Sequence, residues 1–284
     1  MLLSRLQKYI YQNIEYVVFF ILLFILVILI SKRNWEHFSD PVGLNRLDAI
    51  IYINLENRGD RKDLLLKELE SLGIDQSKLH KVSGVFIPKN GHKGCVQSHI
   101  LALQMIKLNK WKRVLILEDD AQLTIPPSLF NPLIEQSLEI LDSSQSGWNV
   151  LMLATANKIL DNTFRPQSIS LEYTPEIKTH ETTDPTTTKS TTNSITEYKL
   201  EKIQSATTSS AYIVNGDYVD TILKLFELCN INMNHGKLSS NNYEHWSLDQ
   251  RWAEIQDRDR WFALTPDPIT QREIWSTIMI ESHY

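Results

Sequence analysis

Uninterrupted apolar runs of strand length alternate with amphipathic stretches over most of this chain. Residues 49–55 (AIIYINL) form one such run, closing on Asn54 and Leu55, and continuous hydrophobicity at that length predicts a strand covered on both faces. The charged turn ENRGDR follows. Leu64, Leu65, Leu69 and Leu72 then recur on one face, predicting a helix over 61–72 with Asp60 as its cap and Gly73 as its stop. A second strand is predicted over 79–85, a loop over 88–94 and a largely buried helix over 95–108, where two apolar rows share helical spacing. Residues 113–117 (RVLIL) read as a third strand. Beyond it come a helix opened by Pro126-Pro127 and running to 141, and a strand over 149–153. Further on, 206–214 leads into a strand, 217–228 is helical, 245–252 is a helix turning Leu248 and Trp252 inward, and 261–264 is a last strand. This order predicts an α/β domain with a mostly parallel sheet and helices on both faces.

Two stretches break the pattern. Residues 16–30 (YVVFFILLFILVILI) are fifteen uncharged residues, which as a helix would cover about 22 Å at roughly 1.5 Å per residue, a length near the lower limit for crossing a bilayer. The residues after it, SKRNW, offer no small-residue cleavage site, so a single-pass transmembrane anchor is preferred to a cleaved signal peptide. A type II arrangement is expected, although Arg5 and Lys8 on one side balance Lys32 and Arg33 on the other and leave the side of the membrane open. The second stretch is 179–196, where eleven of eighteen residues are Thr or Ser. Without apolar periodicity it reads as a solvated insertion, either an inert loop or a mobile flap. The resulting layout is a tail and anchor over 1–34, a stem over 35–47, and a domain over 48–284 with the insertion at about 161–203.

At 284 residues and 42% hydrophobic content the chain can bury a sizeable core. A net charge of -5 argues against nucleic acid as a partner. Cys95 and Cys229 are the two cysteines and could form one disulfide or remain two thiols.

The chemistry concentrates where the third strand stops, at Glu118, Asp119 and Asp120. Three adjacent carboxylates at the end of a buried strand need a cation or strong donors beside them. Oxygen ligands suit a hard divalent ion such as Mn2+ or Mg2+, with coordination positions left for phosphate oxygens. An acidic turn capping a helix is the plainer alternative. Arg58 and Arg61, in the turn after the first strand, either meet an anionic ligand such as a diphosphate or solvate that turn. Cys95 and His99 have the i, i+4 spacing of two zinc ligands, but no second Cys/His pair matches them, and packing is the preferred reading. Trp246 and Trp252 are either an acceptor platform or core.

INLENRGDR, GHKGCVQSH, LEDDA, SATTSSAYIV, SLDQ and PITQREIWS occur in that order. Together they resemble glycosyltransferase family 25, which includes bacterial lipooligosaccharide and procollagen galactosyltransferases, over about 50–278. The resemblance implies a GT-A fold of Rossmann type, a UDP-sugar donor carrying galactose or glucose, a divalent cation, a glycan or modified-protein acceptor, and transfer with inversion. It places Glu118 and Asp120 on the metal. Asn54, Arg58, Arg61, Ser98, His99, Glu118 and Asp119 fall on the nucleotide side, and Asp249, in SLDQ, is the expected catalytic base. The alternatives are an inactive, carbohydrate-binding relative and a metal-dependent phosphoesterase, though the latter would want a second cluster of acids and histidines that the sequence lacks.

Overall fold

The computed structural model describes residues 16, 18, 22–24, 43–173, 194–233 and 240–273. Two compact units, Met1–Pro41 and Val42–Tyr284, make up the chain, and the architecture below belongs to the second. The expected anchor over 16–30 and the stem up to residue 42 lie almost wholly outside the described residues. Among the described residues no helix is long and apolar enough to cross a membrane.

Strands β1 (Ala49–Asn54), β2 (Leu79–Ser83) and β3 (Arg113–Glu118) form the first part of a nine-stranded sheet. With β5 (Val150–Met152), β6 (Ala156–Leu160), β7 (Gln167–Tyr173), β8 (Ser194–Thr207), β9 (Ala211–Asn215) and β10 (Trp261–Thr265), the order is β2-β1-β3-β9-β5-β10-β8-β6, and β7 pairs with β8. β2, β1, β3, β5 and β10 all run one way. β9 lies reversed between β3 and β5, and β8 is reversed against β10, so the mostly parallel sheet is mixed. Two short strands, β4 (Ala121–Leu123) and β11 (Ile269–Gln271), pair antiparallel beside it.

The apolar runs are continuous because both faces of these strands are covered. Ile50, Tyr52, Leu115 and Leu117 point into one core, and Ala49, Ile51, Ile53, Val114 and Ile116 into the other, the period of two that a pleated strand imposes. Helices α1 (Gly59–Ser71) and α3 (Pro127–Ser143) close the first core with Leu65, Leu69, Phe130 and Leu133. The second core is closed by α2 (Gly91–Asn109) and α4 (Val219–Asn232), with Leu103, Ile106, Ile222 and Phe226. Three short helices, α5 (Ser240–His245), α6 (Leu248–Arg251) and α7 (Ala253–Gln256), follow. Leu248 and Trp252 are buried, as their spacing predicts.

Several boundaries differ from the sequence reading. α1 begins at Gly59 after an N-cap at Arg58, because Asp60 lies inside the first turn and pairs with the Arg58 guanidinium. The stretch GHKG is not a loop but the first turn of α2, capped by Asn90 Oδ1, which accepts from Lys93 N at 3.0 Å. The final residues of the expected stem are part of the domain. Leu44 and Leu47 are fully buried beside a 3-10 turn (Gly43–Arg46), and the Glu135 carboxylate accepts from Gly43 N and from Arg46 Nη1, each at 2.5 Å. Within the expected insertion, β7 and β8 form a long antiparallel pair from Gln167↔Leu200 to Tyr173↔Ser194. Ile169, Leu171, Tyr198 and Leu200 are buried, whereas the Thr-rich centre, 174–193, lies outside the described residues. Cys95 and Cys229 are both free thiols, so no disulfide joins them.

Candidate active site

β2, β1 and β3 end on the same edge of the sheet because they are parallel neighbours, with Ile53 beside Glu118 and Asn54 beside Ser83. Such an edge is where open α/β sheets receive ligands. On its other side β3 meets β9, and Glu118 N donates to Ser210 O at 2.8 Å. The acids therefore leave the sheet between the end of β1 and the segment that enters β9.

Each acid meets different partners. Asp119 is pinned: its Oδ2 accepts from Asn54 Nδ2 at 2.9 Å and its Oδ1 from Arg61 Nη1 at 2.9 Å. Glu118 Oε1 accepts from Ser209 Oγ and lies 3.3 Å from His99 Nε2. Burial pushes the Glu118 carboxyl up, but His99, Ser209 and Arg61 outweigh it and the group lies below its usual range. Asp120 has less support. Arg61 Nη1 reaches its Oδ2 at 3.4 Å, and its Oδ1 is buried with no hydrogen-bond donor among the described residues. Burial, and then the charge of Glu118, raise Asp120 to about 7 against the opposing pull of Arg61.

This imbalance tests whether a divalent cation fits. A buried carboxylate oxygen without a donor, held among two further acids, is short of positive charge, and a hard cation supplies that charge to oxygen ligands. Glu118 and Asp120 fit as its holders. Asp119, already committed to Asn54 and Arg61, braces the turn.

The acids form one wall of an open cleft at the strand ends. Ile53 of β1 and Leu55 just beyond it, the segment Gly84–Ile87 after β2, Arg61, Gln271, and Gly91, Cys95, Ser98 and His99 of α2 complete its lining. α2 stands close to that segment because Gly94 allows it: a Cβ there would lie 2.3 Å from Val85 O. Ser98 fastens the same contact, its hydroxyl accepting from Val85 N at 2.8 Å and donating to Gly94 O at 2.7 Å. His99 is completely buried, with Nδ1 2.9 Å from the Tyr212 hydroxyl.

The structure thus brings Asn54, Arg61, Ser98, His99, Glu118, Asp119 and Asp120 together. Arg58 stands at the edge, paired with Asp60 at 3.0 Å and within electrostatic reach of Asp119 and Asp120. Asp249 belongs to the same neighbourhood: its Oδ2 accepts from Thr208 N at 3.2 Å, and its charge acts on the Cys95 thiol. Thr208 holds a left-handed φ of 81°. Trp252 is no acceptor platform, being fully buried with Nε1 donating to Ala206 O at 2.8 Å. Trp246 is half-buried, with the Arg251 guanidinium 4.5 Å above its ring. Ser209, Gln271 and the half-exposed Phe86 escape residue-by-residue reading. The first two sit in the runs SATTSS and PITQREIWS, which carry a signal only as part of the ordered motifs.

The sequence profile of glycosyltransferase family 25 (LPS biosynthesis protein) matches residues 87–236, a span of 150 of the 284 residues. The chain belongs to glycosyltransferase family 25. By family it is a glycosyltransferase, and the matched span carries α2, the Glu118–Asp120 turn and the segment entering β9. No curated protein matches the chain. Among solved structures it is similar to a glycosyltransferase involved in the glycosylation of the major capsid of PBCV-1, at 10% identity and a TM-score of 0.43, covering 82% of this chain and 96% of that one. A mannose-1-phosphate geranyltransferase from Thermus thermophilus gives 9% identity and a TM-score of 0.36, covering 80% and 75%. A putative glucose-1-phosphate thymidylyltransferase from Bacillus anthracis gives 11% and 0.34, covering 84% and 77%. Likenesses of this size carry no argument about activity.

Proposed function

We propose that this family 25 chain is a membrane-anchored, metal-dependent hexosyltransferase of GT-A type, moving galactose or glucose from a UDP-sugar to a hydroxyl of a glycan or modified protein, with inversion. The observation that carries the reading is the Glu118–Asp119–Asp120 turn in the wall of an open cleft at the strand ends, with the buried Asp120 Oδ1 lacking a donor among the described residues. Glu118 and Asp120 would hold Mn2+ or Mg2+. Bound there, the ion would neutralise charge gathering on the departing diphosphate.

The protein's own groups supply the rest. Arg61, with Arg58 behind it, faces the diphosphate as a second source of positive charge, and the N-terminus of α2 at Gly91 adds its dipole. Asp249 takes the proton of the acceptor hydroxyl. The acceptor oxygen bonds to the anomeric carbon on the face opposite the leaving group, the bond from that carbon to the diphosphate breaks, and UDP departs. Gly84–Ile87 and Gln271 restrict water at the reacting carbon.

Calorimetric titration of the protein with a panel of UDP-sugars, with and without Mn2+, tests this. Manganese-dependent binding of one sugar nucleotide, lost in Asp120→Ala, is the expected result. A folded protein that binds none of them would overturn the reading in favour of an inactive relative. The base assignment is checked separately: Asp249→Asn should keep donor affinity within about threefold while transfer falls by roughly 100-fold or more, the contribution of a general base.

A further inference from the structure

One wall of the cleft holds two side chains, Cys95 and His99, to which the proposed transfer gives no chemical part, beside Glu118, to which it does. Cys95, His99 and Glu118 offer a thiol sulfur, a ring nitrogen and a carboxylate oxygen, all within 4.8 Å of one another. These are three ligand types that zinc accepts, and tetrahedral zinc with bonds of about 2.0–2.3 Å would bring them to roughly 3.3–3.8 Å. A rotation of the Cys95 and Glu118 side chains covers that difference.

The surroundings are those of a metal-binding histidine. Nδ1 of His99 is 2.9 Å from the Tyr212 hydroxyl, and the two rings stack with centroids 5.8 Å apart. Bonded to Tyr212 through Nδ1, the ring points Nε2 at Glu118, 3.3 Å away, where a shared proton or a cation joins the two. Such a partner on the far nitrogen fixes tautomer and ring orientation. His99 has no exposed surface, whereas Cys95 and Glu118 are largely but not fully buried and line the cleft. An ion can enter from solvent and keep its fourth position open toward the cleft. Cys95 sits one turn before His99 on α2, a separation that places both on one helix face.

We propose that Cys95, His99 and Glu118 form a binding site for a thiophilic divalent cation, zinc above all, that shares Glu118 with the oxygen-ligand site at Asp120. As the metal bonds form, the thiol proton and the proton shared by His99 and Glu118 both pass to solvent, and the His99–Glu118 contact gives way to two metal bonds. The ion binds in the absence of any nucleotide. Because Glu118 cannot serve both ions in full, zinc displaces Mn2+ and blocks the donor. That consequence rests on the proposed donor site, whereas the binding itself does not.

The test uses the reduced full chain in detergent, titrated with Co2+ alone as a spectroscopic substitute for zinc, then with Zn2+. One equivalent should give a thiolate-to-cobalt charge-transfer band in the near ultraviolet and the visible bands of a four-coordinate ion, both bleached by Zn2+. Cys95→Ser should lose the charge-transfer band and weaken Zn2+ binding by at least roughly tenfold, the loss that removal of even an outer partner causes. Cys229→Ser, which changes the other thiol in the buried α4 position, should leave both unchanged. A wild-type protein with two titratable thiols and no charge-transfer band overturns the site, as does a band that survives Cys95→Ser. Both readings stand apart from UDP-sugar binding, so the donor site can fail while this one holds.

Discussion

Burial and the neighbouring Glu118 raise the Asp120 carboxyl to about 7, so in the metal-free protein this group ionises around neutral pH rather than near 4. The sign of its effect on stability follows from that direction. A carboxyl whose folded pKa lies above its unfolded value contributes stability that is fully present below about pH 4 and is lost as pH rises through about 7. Asp120→Asn keeps the shape and removes the charge. In chelator at pH 8 it should stabilise the protein by about 1–3 kcal/mol, with the gain vanishing only below about pH 4. Urea unfolding at the two pH values measures this, and an equal gain at both would count against the charge imbalance. Saturating Mn2+ should reverse the order, since only the wild type gains the ion. Glu118 is tuned in the opposite direction, below its usual range, so the two acids contrast within one turn. The acids themselves were legible as three carboxylates after an apolar strand. Their division of labour was not, because it depends on Asn54, Arg61, His99 and Ser209, which are 65, 58, 19 and 91 residues away from the acids they bond.

At the scale of elements, periodicity located the strands and long helices, and the errors fell where long-range contacts override a local signal. GHKG reads as a loop because glycine is a poor helix former, yet Gly94 is required by the close approach of Val85 O. Gly94→Ala should cost about 1–3 kcal/mol by overpacking. It should also speed exchange of the Val85 amide, which Ser98 Oγ holds at 2.8 Å. Native-state hydrogen exchange reads that amide directly, and unchanged protection would show that α2 does not hold the cleft wall. The stem shows the same effect. Pro41 and Gly43 look like linker punctuation, but Leu44 and Leu47 supply buried surface and Glu135 supplies their anchor. A chain beginning at Asp48 should therefore be less stable by roughly 3–6 kcal/mol than one beginning at Trp35, the burial of two leucines. Matched urea midpoints would refute this.

For the molecule as a whole, two cores on opposite faces of one sheet hold a cleft at the strand ends, and among the described residues no part of the cleft wall comes from β7 or β8. The Thr/Ser composition suggested a solvated insertion because threonine gives no apolar period. Threonine nonetheless favours extended backbone, and the flanks carry their own alternation: Ile169 and Leu171 on one strand, Tyr198 and Leu200 on the other, all turned into the core. The insertion's flanks thus belong to the fold. Its centre can be separated from them by design, because Tyr173 and Ser194 are directly paired, and neighbouring antiparallel strands can be joined by a two-residue Asn-Gly turn. Replacing residues 174–193 with such a turn should leave the unfolding midpoint within about 2–4 °C, a stability change of no more than roughly 1 kcal/mol. Manganese-dependent affinity for the sugar nucleotide should also be retained, because every residue placed around the donor lies elsewhere. Transfer to the natural acceptor is the readout that can change, and a fall there with donor binding intact would assign this segment to acceptor recognition. Loss of donor binding with the fold intact would instead show that the segment reaches the cleft from the far end of the sheet.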